Sequence, residues 1–218
     1  MKINNYLNRI IILYDNTSIS PKLKADWGFS CLIETEDRNI LFDTGGNGKI
    51  LLENMSLLEI DPKRIDDIFI SHQHFDHIGG LSAILNENSK AVVHIPRSLK
   101  GIKYPNKVIS YDNSQVLYEN IYSTGELNGD EQSLVIKTDR GSVVIIGCCH
   151  PGLKNILSSL KEKNIYAVIG GLHGSTEFDQ LKNVTKVCPT HCTKHIEEIK
   201  ELYPDKYISG GAGAIIEF

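Results

Sequence analysis

Ser71-His72-Gln73-His74-Phe75-Asp76-His77-Ile78-Gly79-Gly80-Leu81 is the stretch on which the reading of this chain turns. Within it His72, His74, Asp76 and His77 place four side chains of metal-binding type in six positions. The run before them, Ile68-Phe69-Ile70, has the pattern of a short buried strand, and alternate residues of an extended chain project to one side. The imidazoles of His72 and His74 therefore converge on a common point. A helical pattern begins at Leu81-Ser82-Ala83-Ile84-Leu85, so the chain turns at Gly79-Gly80 and brings Asp76 and His77 in from another direction. One loop can serve two adjacent metal ions. Four donors closed by a double glycine are far more specific than an isolated HxH pair, which is often only a solvated surface feature.

Composition sets the frame around this loop. At 218 residues, 41% hydrophobic and 23% charged, the chain is long enough to bury a substantial core, and with no shift in composition it reads as a single domain over residues 1–218. A formal charge of -4 and a pI near 6.1 leave no basic stripe for a phosphate backbone, so a small-molecule substrate is expected rather than nucleic acid. Near the N-terminus the apolar run from Ile10 to Leu13 with Tyr14 is too short for a secretion signal or a membrane span. Five cysteines is an odd count, and the vicinal Cys148-Cys149 suits disulfide geometry poorly. Reduced thiols and a cytoplasmic location follow as expectations. No pair of CxxC motifs supports a zinc ribbon.

Outward from the histidine loop, apolar runs alternate with helical patterns. Arg9 to Asp15, Phe29 to Thr35 and Asn39 to Asp43 read as strands, and Ile50, Leu51, Met55 and Leu58 recur at helical spacing. Asp61-Pro62 reads as an N-cap with proline opening a short helical turn before a strand at Asp67 to Ser71. A helix to about Asn86, a strand at Ala91 to Ile95 and a polar stretch containing Pro96 and Pro105 follow. Leu134 to Thr138 and Ser142 to Gly147 form a hairpin across Asp139-Arg140-Gly141. Thereafter the expected order is helix Pro151 to Lys163, strand Tyr166 to Ile169, helix Thr176 to Lys186, strand Val187 to Pro189, helix Thr193 to Leu202, and strands Lys206 to Ser209 and Ala214 to Glu217. This rhythm gives a mixed α/β domain.

A metal pocket built from one loop is incomplete, since zinc ordinarily takes about four ligands. His150, His173 and His191 each close an apolar run, as ligands at strand ends would, although each alone could equally bond a loop carbonyl. His94, inside Val92-Val93-His94-Ile95, reads as a satisfied strand histidine. Gly210-Gly211-Ala212-Gly213 reads as a tight turn ahead of an anion-binding loop, and Lys194 as a solvated helix residue.

HxHxDH followed by GGL resembles the signature of the metallo-β-lactamase superfamily. The segments GFSCLIET, ILFDTGG, IIGCCHPGLKNIL, YAVIGGLHG, PTHCTKHIEEIK and SGGAGAIIEF extend the resemblance over almost the whole chain, toward the dihydropterin ribofuranosylaminobenzene-phosphate synthase-like branch. The resemblance implies a four-layer αβ/βα sandwich with a metal site at one end of two facing sheets. It implies two divalent metal ions, zinc first and manganese or iron as alternatives, with His72, His74 and His150 on one and Asp76, His77 and His191 on the other, bridged by hydroxide. Asp43 would be the aspartate buried behind the metal loop, accepting a ring N–H of a liganding histidine. In one respect the chain departs from the pattern: no aspartate closes a strand to bridge the ions. Either Cys148 replaces it as a thiolate or the bridge is missing.

Chemically, the resemblance implies a metal-dependent hydrolase that uses metal-bound hydroxide on a small phosphate-bearing substrate, with Asp76 and His173 as catalytic residues. The alternatives are a synthase joining a pterin pyrophosphate to a ribofuranosylaminobenzene phosphate, and a non-catalytic, metal-stabilised ligand-binding module. Redox chemistry at two irons ranks last, as no flavin or rubredoxin-like segment is appended. Substrate, native metal and oligomeric state are not written in the sequence.

Overall fold

A computed structural model describes residues 8–218; residues 1–7, part of the N-terminal stretch read against a secretion signal, lie outside the described residues. Two sheets form the centre. The first has seven strands in the order β13-β1-β2-β3-β4-β5-β6: β1 is Arg9–Tyr14, β2 Ser30–Glu34, β3 Asn39–Phe42, β4 Asp67–Phe69, β5 Val92–Pro96, β6 Val108–Tyr111 and β13 Ile215–Glu217. The second has six in the order β12-β11-β10-β9-β8-β7: β7 is Gln115–Tyr118, β8 Ile121–Ser123, β9 Leu134–Thr138, β10 Gly141–Ile146, β11 Ile165–Gly171 and β12 Lys186–Thr190.

Strands β1 to β3 are antiparallel, and β3 to β6 run parallel. In the second sheet β7 to β10 are antiparallel and β10 to β12 parallel. Parallel neighbours need long crossovers, and helices supply most of them on the outer faces. Helices α1 (Gly48–Leu57) and α3 (Leu81–Glu87) lie on the first sheet, burying Leu51, Met55, Ile84 and Leu85 against Leu41, Ile68 and Val93. Helices α4 (Leu153–Ser159) and α5 (Ile196–Leu202) lie on the second, with Ile156 and Ile199 against Val144, Val168 and Val187. Between the sheets, Ile10, Ile33, Phe42 and Phe69 meet Ile136, Val143, Ile145 and Ile169. This is the four-layer αβ/βα sandwich expected.

The strand and helix expectations hold closely through β5, with Asp61 capping the short turn Pro62–Arg64 by accepting from the N–H of Lys63 at 2.9 Å. Three expectations need correction. The helix read over Thr176 to Lys186 is only a 3-10 turn, Phe178–Leu181. Phe178, Leu181 and Val184 recur every third residue and all face the same core, which is the period of a 3-10 turn and not of an α-helix. No strand forms at Lys206 to Ser209, where Tyr207 makes a single bridge to Val187 before the glycines turn the chain. The helix read over Pro151 to Lys163 is cut to α4, because Gly152 at φ 90° blocks its start and Leu160 is extended. The stretch after β5 contributes β6 and β7, edge strands too exposed to carry an apolar signal, and β8, a buried strand of only three residues, Ile121–Ser123.

Polypeptide leaves β3, β4, β10, β11 and β12 at one end of the sandwich, and Asp43, His72, Cys148, His173 and His191 follow those strands. The C-terminal edge of parallel strands is where such sheets collect ligand-binding groups.

Candidate metal centre

Just beyond β4, His72 and His74 lie on extended backbone, and a four-residue helix α2, Phe75–Ile78, then carries Asp76 and His77. His74 is its N-cap residue. The imidazoles of His72 and His74 meet edge to face, His72 Nε2 lying 3.1 Å from His74 Nδ1. The His150 ring lies 4.7 Å from that of His72 and 4.8 Å from that of His74, centroid to centroid. On the other side His191 Nε2 lies 3.2 Å from Asp76 Oδ2, and the rings of His77 and His191 are 5.0 Å apart. The residues expected from the sequence thus fall into the two expected groups, His72, His74 and His150, and Asp76, His77 and His191, the donor atoms within each lying within 4.8 Å of one another.

Buried acceptors behind the rings set their tautomers. Asp43 accepts from the Ser71 N–H at 2.7 Å, from the Ser71 hydroxyl at 2.6 Å and from His77 Nδ1 at 2.7 Å. The Ser71 hydroxyl, donating to Asp43, accepts from His72 Nδ1 at 2.8 Å. One carboxylate therefore leaves Nε2 of both His72 and His77 as a lone pair turned to the site, the arrangement that orients liganding imidazoles. Burial pushes the Asp43 carboxyl up to about 7, against the His72 charge and the Ser71 bonds. His191 is fixed in the same manner: its Nδ1 donates to Asn16 Oδ1 at 2.9 Å, its N–H to Asp15 at 2.8 Å, and its carbonyl accepts from the Asn16 amide at 2.9 Å.

Glu131 was not singled out by the sequence. It is fully buried and accepts from three successive backbone N–H groups, Cys148 at 2.9 Å, Cys149 at 3.2 Å and His150 at 3.0 Å. Burial alone would raise it, but the interaction with His150, the His72 charge and these N–H groups bring it down to about 2. Glu131 in turn draws His150 upward. Burial, and then the neighbouring histidines, push His72 and His77 down to about 3, so both stand neutral and ready to donate a lone pair. Asp76 is held well below the carboxylate range: burial works against this, and the interactions with the facing His191 and His77 outweigh it.

Strain is concentrated here. Asp43, Cys149, His173 and His191 have φ of 53°, 64°, 48° and 49°, left-handed conformations at four strand ends that face the site. At Cys149 the reversal has a visible result: its own side chain joins the outer core of the second sheet, while those of Cys148 and His150 turn to the histidines. His173 is exposed, its ring 5.5 Å from that of His150. His94 is satisfied away from this end by Tyr111 at 2.7 Å and Asp67 at 2.8 Å, as its strand setting suggested. Lys194 is exposed, and the glycine segment 210–213 is a turn in which the Ala212 and Gly213 N–H groups bond the Thr17 and Ile12 carbonyls.

The donor chemistry fits cations. With Nδ1 of His191 engaged, its Nε2 is a buried lone pair without a hydrogen-bond partner, facing a carboxylate oxygen at 3.2 Å. Two acceptors so placed repel unless a cation stands with them.

Family comparisons agree with this geometry. The profile of the Metallo-beta-lactamase superfamily matches residues 28–153, from the start of β2 through the histidine loop to the turn after β10. The chain belongs to the metallo-β-lactamase superfamily. Within it, the chain is 30% identical to the 7,8-dihydropterin-6-methyl-4-(beta-D-ribofuranosyl)-aminobenzene-5'-phosphate synthase of Methanocaldococcus jannaschii, over 88% of this chain and 90% of that protein. A second protein of that organism, uncharacterised MJ0448, is 27% identical over 95% and 99% of the two chains. The crystal structure of Tm1679, described as a metal-dependent hydrolase of the beta-lactamase superfamily, aligns over 97% of this chain and 99% of that one with 27% identity and a TM-score of 0.76.

Proposed function

We propose that this protein is a metal-dependent hydrolase of a small phosphate-bearing substrate, with His72, His74 and His150 holding one divalent ion and Asp76, His77 and His191 a second, zinc in the first instance. The observation that carries this reading is the buried, unpartnered His191 Nε2 facing Asp76 Oδ2 at 3.2 Å, beside the converging nitrogens of His72 and His74 at 3.1 Å. Two ions at these positions would lower the pKa of a water toward neutrality and clamp phosphate oxygens.

Around them the chain has its own tasks. Asp43 and Ser71 keep Nε2 of His72 and His77 unprotonated, and Asn16 does so for His191. Asp76 stays ionised and adds a negative charge beside the attacking water's position, where it can orient or accept a proton. His173 stands exposed at the mouth, placed to donate to a phosphate oxygen or a leaving group. The exposed flank formed by His74 and His173 supports turnover over a purely structural site, which would be closed. Five unpaired cysteines support a reducing compartment such as the cytoplasm.

A second reading has its own support. Similarity to the synthase extends over nine-tenths of that protein's length, so condensation of a pterin pyrophosphate with a ribofuranosylaminobenzene phosphate, with pyrophosphate leaving, is the competing reaction. Metal content by elemental mass spectrometry on protein purified without chelator, followed by turnover assays, separates the readings. About two ions per chain and chelator-sensitive phosphodiester cleavage are expected. Pyrophosphate release only when both synthase substrates are present would establish the synthase instead, and metal with turnover of neither would favour a binding module.

A further inference from the structure

Strand β11 ends at Gly170-Gly171, against the second donor group. A Cβ on Gly171 would lie 2.4 Å from the Gly147 carbonyl oxygen and 2.7 Å from Cys192 Sγ, so this position has no room for a side chain. Two sulfurs lie close by. Cys148 Sγ lies 3.1 Å from His77 Nε2 and 3.2 Å from Cys192 Sγ, and both cysteines are buried. Cys148 belongs to two donor groups at once, one with His72 and His77 and the other with His191 and Cys192.

We propose that Cys148 and Cys192 are thiolate ligands of the second metal position, forming its four-donor set with His77 and His191 beside the Asp76 carboxylate, and that Cys148, which also groups with His72, links the two positions. This rests on the metal-centre reading above. Each thiol passes its proton to solvent as the ion binds, so charge and atoms balance without an oxidant.

Distances favour a metal over a disulfide. Tetrahedral zinc with Zn–S of about 2.3 Å and Zn–N of about 2.0–2.1 Å separates two sulfurs by about 3.8 Å and a nitrogen from a sulfur by about 3.6 Å. The separations of 3.2 Å and 3.1 Å lie about half an ångström short of those values, within reach of small side-chain rotations. A disulfide of about 2.05 Å would need a closure of more than about 1 Å. Two sulfurs and two imidazoles select a thiophilic ion, zinc or cobalt, over manganese or magnesium.

The test loads cobalt(II) into the reduced, metal-stripped full chain. Two bound ions and an intense near-ultraviolet sulfur-to-cobalt charge-transfer band are expected, with the band lost in Cys148→Ser, weakened in Cys192→Ser and kept in Cys188→Ser, whose sulfur lies in the core between the sheets. Affinity for the second ion should fall by about tenfold or more in Cys148→Ser. Zinc X-ray absorption on the unaltered protein guards against a variant that fails to fold: a sulfur shell near about 2.3 Å is expected. Two bound ions with only nitrogen and oxygen neighbours would overturn the thiolate assignment while leaving the metal centre standing. No bound ion at all would overturn both.

Discussion

The two donor groups differ in their access to water. His72 of the first is buried, but His74 is exposed and His150 half-buried. In the second group His77 and His191 are buried and Asp76 is only partly exposed, with Cys148 and Cys192 buried beneath them. The first group is an open rim and the second a floor. The difference teaches how labour would divide under the proposed function: a floor of fixed, desolvated donors would hold charge, while a rim with an accessible flank would admit substrate.

The largest expected effect comes from breaking the rim. In His74→Ala and His150→Ala, hydrolytic activity falls to background and metal content drops to about one ion per chain, while the far-ultraviolet circular dichroism spectrum stays native. Full activity with full metal in both variants would sink the rim assignment. Next is the hinge between rim and floor. A Cβ at Gly79 would sit 2.3 Å from the Gly46 carbonyl oxygen, and one at Gly80 2.2 Å from that of Thr44. Gly79→Ala or Gly80→Ala should therefore cost about 3 kcal/mol, read by thermal or urea unfolding.

Glu131 sharpens the comparison, since it ties the β10 exit to the floor. Glu131→Gln should lose about 2–3 kcal/mol near neutral pH, through weakening of three charge-assisted hydrogen bonds. Its folded value of about 2 lies below the ordinary 4.5, so this stability is present above pH 4.5 and lost as pH falls toward 2. The stability gap between the metal-free native protein and the variant should accordingly close across that window, and a gap constant with pH would refute the assignment. The smallest effect is expected at Lys194, whose exposed side chain leaves stability within about 0.5 kcal/mol and turnover unchanged on conversion to alanine.

The rim and all of the floor but Cys192 were legible in the sequence, because these residues follow strands recognisable as apolar runs and four of them share one loop. Asp43 was legible through the family resemblance, since by itself a carboxylate before two glycines reads equally as a turn residue. Glu131 was not, since a lone glutamate in a polar loop has no periodic or local mark, and its role depends on the facing of β8, β9 and β10. Asp15 and Asn16 were hidden likewise: they support His191 across 175 residues and more of chain. Cys148 was visible as a candidate, but Cys192 was not singled out, and only folding places its sulfur against Cys148. The edge strands β6 and β7, the three-residue β8 and the 3-10 turn at Phe178–Leu181 escaped because they are too exposed, too short or too unlike a helix in period for apolar spacing to report.

The glycines of the histidine loop and those of Asp43-Thr44-Gly45-Gly46 interlock. Thr44 donates its N–H and hydroxyl to the His77 carbonyl at 2.7 and 2.9 Å, and Gly80 donates to the Gly45 carbonyl at 3.2 Å. Two motifs some thirty residues apart in sequence thus behave as one inherited part. A homologue that acquires a side chain at position 79 or 80 must retract the 44–46 turn at the same time, which would carry Asp43 away from Ser71 and His77. Divergence at this end should therefore proceed by paired changes in the two glycine turns.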